Sequence, residues 1–130
     1  MTRPVITVSE KESLRDAIAL MQRHRIRHLP VISSDRLVGI LTDRDVKRAT
    51  PSLLTGVSQE EYDGVLKETH VGQVMTRNPF TVTPSTSLRD AVKILLDRRF
   101  NGVPVVENGR LLGILTATDL LRTLHEMLEE

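Results

Sequence analysis

Leu14, Ala17, Ile18 and Met21 lie three or four residues apart on a polar background, the spacing of one buried helix face. The same pattern recurs at Leu88, Ala91, Val92 and Leu95. A Ser-x-x-Asp sequence opens each run (Ser13 and Asp16; Ser87 and Asp90), the capping-box pattern with Asp in the acidic place. Two apolar runs short enough to be strands follow each helix: "LPVI" and "LVGIL" in one place, "VPVV" and "LLGIL" in the other. Their separators are "SSDR" and "ENGR", and Asn108-Gly109 in the second predicts a tight hairpin. Another helix is predicted after Thr42 and after Thr116. With a strand over Val5 to Val8, the unit reads strand–helix–strand–strand–helix, a mixed α+β arrangement.

The unit is written twice. Met1-Thr2-Arg3 matches Met75-Thr76-Arg77 at an offset of 74 residues, which then holds without a gap through 1–46 and 75–120. Identity at 20 of those 46 positions, in register, marks a duplication. The predicted division is a first repeat over 1–50, a connector over 51–73 and a second repeat over 74–130. The connector contains a polar, helical stretch from Gln59 to Lys67. "VGQVMT" then leads into the second copy. A small sheet with helices on one side leaves its other face bare, so two βαββα repeats packed sheet to sheet with pseudo-twofold symmetry are expected.

Composition narrows the function. A formal net charge of +1 gives no global field toward nucleic acid or membrane. Tyr62, Phe80 and Phe100 are the whole aromatic set, too few for a base-stacking platform. The lack of cysteine removes disulfides, thiolate metal sites and cysteine nucleophiles. No apolar run reaches the roughly 18–20 residues of a membrane span, and "MTRPVITV" lacks the apolar core of a signal peptide. A cytoplasmic location is expected.

A closely repeated segment is "GILTDRD", Gly39 to Asp45, against "GILTATD", Gly113 to Asp119. One reading is a capping box, in which Thr accepts a backbone N–H and Asp sits in the positive first turn. The other makes the same residues a binding site. A helix N-terminus and a hydroxyl suit a phosphate, and a carboxylate suits the vicinal hydroxyls of a ribose. Glycine inside an apolar strand weakens it, unless a backbone or a ligand comes close there.

The doubled unit, its Met-Thr lead-in, the apolar–Pro–Val strand and the closing Gly-x-x-Thr-x-x-Asp together resemble a tandem pair of cystathionine-β-synthase (CBS) domains, a Bateman module. "DRDVKRATPS" further resembles the acetoin-utilization type. The resemblance implies regulatory binding of AMP, ADP, ATP or S-adenosylmethionine in clefts between the repeats, with no cofactor required. Carried over residue by residue, one cleft takes Thr42, Arg44 and Asp45 with Thr76, Phe80, Asn101 and Gly102. The other takes Thr2, Ile6, Arg27 and His28 with Thr116, Thr118 and Asp119. It also implies a homodimer formed through the helices and an unidentified target protein. Arg27-His28 against Asn101-Gly102 makes the two clefts unequal.

Other chemistry is poorly served. In "RHRIRH", Arg23 and Arg25 read as solvated cations at a helix end. His24 and His28 are four apart but lack a third ligand at useful spacing, so no metal site is expected. His70 and His125 read as surface residues. There is no Gly-x-Ser-x-Gly and no phosphate-binding Walker loop, and Asp43 becomes Ala117 in the second copy. A ligand-sensing module is therefore expected rather than an enzyme. The competing reading is a structural dimerisation or protein-interaction module without a small ligand.

Overall fold

The computed structural model describes residues 6–50 and 56–129. It contains two compact units, one spanning Ile6–Pro79 and the other containing 80–129.

In the first unit, β1 (Val8–Ser9) runs parallel to β2 (His28–Ser33), and β2 pairs antiparallel with β3 (Arg36–Thr42). Between β1 and β2 lies helix α1 (Leu14–His24), capped by Ser13, whose side chain accepts the Asp16 backbone N–H. The same half-cap joins Ser87 to Asp90. Leu14, Ala17 and Met21 of α1 are buried, as their spacing predicts. The Val5 part of the expected first strand lies outside the described residues, and the paired segment begins only at Val8.

Both β-hairpins turn in the same way. Asn108 and Gly109 have φ of 53° and 82°, and Ser34 and Asp35 have 49° and 64°. Positive φ at both central residues is the turn whose twist matches the flanking strands. The first hairpin reaches it without glycine. Each hairpin also carries a bulge: Val38 is the extra residue between Leu37 and Gly39, and Leu112 the extra one between Leu111 and Gly113.

Helix α2 (Asp43–Ala49) follows β3 directly. The connector then contributes α3 (Gln59–Glu68) and α4 (Val71–Val74), leading into β4 (Thr76–Arg77). Helix α3 does more than join two repeats. It lies against α1, Leu66 is buried, and Tyr62 packs on the core of Val8, Leu14, Leu29, Val31, Leu41, Val71 and Met75. Leu14 donates its N–H to Thr69 O at 2.7 Å, while Val71 and Gly72 donate to Glu12 O and Glu10 O. Strand β4 pairs antiparallel with β3, Gly39 opposite Arg77 and Ile40 opposite Thr76. An added Cβ at Gly39 would lie 2.9 Å from Thr76 O and 2.5 Å from Met75 Sδ. The glycine at position 39 thus has a local cause: a second backbone passes over it.

In the second unit, Val82 bridges in parallel to Val105. Helix α5 (Leu88–Arg98) precedes the hairpin of β5 (Gly102–Glu107) and β6 (Arg110–Thr116), and α6 (Ala117–Leu128) ends the repeat. Its core is smaller, built on Val82, Leu95, Val103 and Val105. Leu88 departs from its sequence pattern and is half exposed, whereas its counterpart Leu14 is fully buried. The reason is α3, which covers α1; no described element covers α5 in this way within its unit.

Candidate functional site

The Thr-x-x-Asp sequences form complete capping boxes. The Asp45 N–H donates to Thr42 Oγ1 at 3.2 Å, and the Thr42 N–H donates to Asp45 Oδ2 at 3.0 Å. In the second copy the Asp119 N–H donates to Thr116 Oγ1 at 3.2 Å, and the Thr116 N–H to Asp119 Oδ2 at 2.9 Å. Reciprocal bonding of this kind satisfies donors that a helix start leaves without partners. A strand that ends at Thr and turns at once into helix fixes both side chains, so each carboxylate is aimed by its own backbone.

Burial distinguishes these two carboxylates. Asp45 and Asp119 are the buried charged side chains among the described residues, 6% and 9% exposed. A buried carboxylate demands hydrogen-bond donors. Asp45 receives the Thr76 hydroxyl, whose Oγ1 is 3.2 Å from both Oδ1 and Oδ2. Asp119 has Arg122 Nη1 at 3.9 Å from Oδ1, and the Thr123 hydroxyl donates to its backbone carbonyl.

The loop before each second strand is tied to the following cap. Asp43 donates its N–H to Arg27 O at 3.1 Å, and Ala117 donates to Asn101 O at 2.8 Å. His28 lies opposite Thr42, and Gly102 opposite Thr116. Arg27 and His28 thus border the Thr42–Asp45 cap, while Asn101 and Gly102 border the Thr116–Asp119 cap. His28 is half-buried, and this burial lowers its pKa from the ordinary histidine value. The Asp43 carboxylate opposes that shift and the Arg27 cation adds to it.

Of the other expected residues, Arg44 and Thr118 are exposed in the first turns of α2 and α6. Ile6 packs against the first core. Phe80 holds the Arg98 guanidinium over its ring, 4.1 Å from the centroid. Arg98 was not among the residues expected at the site. It ends α5, 18 residues from Phe80 in sequence, and the spacing gives no signal of the pairing. Thr2 lies outside the described residues. Among the described residues no group of three His, Cys, Asp or Glu side chains converges, and no helix is long and apolar enough to cross a membrane.

A duplicated α+β unit, each copy ending in a strand-to-helix turn that buries a capped carboxylate, defines the class of protein. The CBS domain family matches over 1–52 and 71–126. The chain belongs to that family.

Two relatives show how differently it is used. A CBS domain-containing protein of Dictyostelium discoideum is 32% identical over 131 residues, covering 99% of this chain and 90% of its own. An inosine-5′-monophosphate dehydrogenase of Korarchaeum cryptofilum is 39% identical over 119 residues, covering 91% of this chain but 22% of its own length. Among solved structures, CBSX2 in complex with AMP superposes with a TM-score of 0.80 at 31% identity, covering 98% of this chain and 92% of its own. The CBS domain pair of MJ0100 in complex with 5′-methylthioadenosine and S-adenosyl-L-methionine gives 0.76 at 27%, covering 98% and 93%. An acetoin utilization protein (AcuB) of Vibrio cholerae gives 0.81 at 28%, covering 98% and 88%.

Proposed function

We propose that this chain is a regulatory module that binds adenosyl compounds, with Asp45 and Asp119 each receiving the ribose hydroxyls of one ligand. The observation that carries the reading is the pair of buried carboxylates, built twice in the same capping geometry. Support comes from the AMP, 5′-methylthioadenosine and S-adenosylmethionine bound by proteins of the same fold. The Thr42 and Thr116 hydroxyls accept the cap N–H and keep a proton to donate toward a phosphate or a carboxylate of the ligand. Binding regulates only if it favours one packing arrangement over another. The division proposed is two repeats, 1–50 and 74–130, joined by 51–73, in a cytoplasmic protein without catalytic activity of its own.

The two Asp groups are unequal. With Arg27 and His28 in the group of Thr116 and Asp119, and Asn101 and Gly102 in the group of Thr42 and Asp45, different charge lies near each ligand. A homodimer is the proposed assembly, supported by exposed Leu96 on α5 and by Leu121, Leu124, Met127 and Leu128 on α6. The same exposed faces favour the second reading, an interaction module without a small ligand.

Thermal denaturation with AMP, ADP, ATP, S-adenosylmethionine and NADH separates the two. A ligand at about 100 times its dissociation constant stabilises the fold by about 2.7 kcal/mol. Asp45→Ala and Asp119→Ala are each expected to abolish one binding event while the protein stays folded. No shift with any ligand selects the interaction reading, and unchanged affinities in both variants reject the ribose assignment.

A further inference from the structure

The carboxylate of Asp45 is fully accounted for, and the accounting leaves a definite remainder. A carboxylate offers about four acceptor positions on its two oxygens. The Thr42 N–H takes one of them, on Oδ2. Thr76 carries a single hydroxyl proton, yet its Oγ1 stands 3.2 Å from both Oδ1 and Oδ2. Such symmetric placement holds the carboxylate plane against rotation while using about one further position. Two remain, one on each oxygen, which is the number that two adjacent hydroxyls of one ligand would fill.

What fixes Thr76 is equally visible. Ile40 pairs with Thr76 and Gly39 with Arg77, so β4 is held on β3 directly ahead of the α2 cap. Met75 is buried in the first core, and Arg77 Nη2 donates to Gly72 O at 3.2 Å. The hydroxyl therefore reaches Asp45 from a separately anchored strand, 31 residues away in sequence.

We propose that Thr76 is a positioning residue that gives the Asp45 site its selectivity for a vicinal diol, by holding the carboxylate with one acceptor position open on each oxygen. The proposal deepens the adenosyl-binding reading and rests on it. It predicts that Thr76 governs discrimination between a ribose and a sugar lacking both hydroxyls, more than overall affinity.

The test compares AMP with 2′,3′-dideoxyadenosine monophosphate by calorimetric titration, in the parent chain and in an Asp119→Asn background that isolates the Asp45 event. Hydroxyl bonds to a charged acceptor give the parent a preference of at least about ten-fold for AMP. Thr76→Val is expected to reduce that preference to about two-fold or less, and Thr76→Ser, which restores the hydroxyl, to recover it. Unfolding midpoints of both variants report on the fold separately. A parent-like preference in Thr76→Val overturns the proposal while the adenosyl reading survives. So does an equal loss in Thr76→Ser. Failure of the parent chain to bind either nucleotide overturns both together.

Discussion

His28 is the ionisable side chain whose environment most clearly couples the first repeat to pH. Burial lowers its pKa, so between that lowered value and the ordinary value of 6.5 the folded chain binds fewer protons than the unfolded one. The contribution is fully present above the ordinary value and is lost as pH falls through the folded pKa. Urea midpoints measured at about pH 7.5 and about pH 5 should therefore drop for the parent, and drop less for His28→Gln. The residues that define the caps, Thr42, Asp45, Thr116 and Asp119, are legible in the sequence because capping is a local matter of three-residue spacing. The basic run places the end of α1 near Arg23 and Arg25, but the left-handed turns that close α1 and α5 are not legible. The two helices stop at Arg25 and Arg99, which take left-handed φ of 54° and 56°. A left-handed arginine costs roughly 1–2 kcal/mol and leaves no compositional mark of the kind glycine would.

At the level of elements, the helices and hairpins follow from periodicity and turn chemistry, whereas β4 does not. "VGQVMT" has neither helical nor alternating apolar spacing; its strand exists because β3 offers a pairing edge above Gly39. That dependence is measurable. Gly39→Ala forces a Cβ against Met75 and Thr76 and should cost about 1–3 kcal/mol in urea unfolding. In contrast, Gly64→Ala within α3 meets nothing within 4 Å and should stabilise by about 0.5–1 kcal/mol. A loss at Gly64 or a gain at Gly39 would contradict the packing described. The burial of α3 was also hidden by its polar composition. Tyr62 and Leu66 are four apart and enough to seat it on α1, yet too few to stand out as an amphipathic stripe.

Across the whole molecule, the two repeats share elements but not surfaces. Among the described residues, the large exposed apolar side chains belong to 80–129, with Val65 as the exception. On α6, Leu121, Leu124 and Leu128 lie three and four residues apart on one exposed helix face, which suits an association surface. If α5 and α6 form a homodimer, Leu121→Glu combined with Leu124→Glu should halve the mass measured by light scattering while leaving helical content intact. A monomeric parent would exclude that assembly. The duplication is legible from the 74-residue offset alone, but the inequality of the surfaces is not, because it arises from what lies between the copies.

A tandem duplication of two has one intervening segment, and here α3 spends it on α1. The side chains facing α3 are constrained by intramolecular fit, so drift at Leu14 carries an immediate folding penalty. Among the described residues of their own unit, no covering helix constrains Leu88 and Leu96 of α5 in this way. Substitution at Leu14 therefore reads out folding, whereas substitution at Leu88 or Leu96 reads out association.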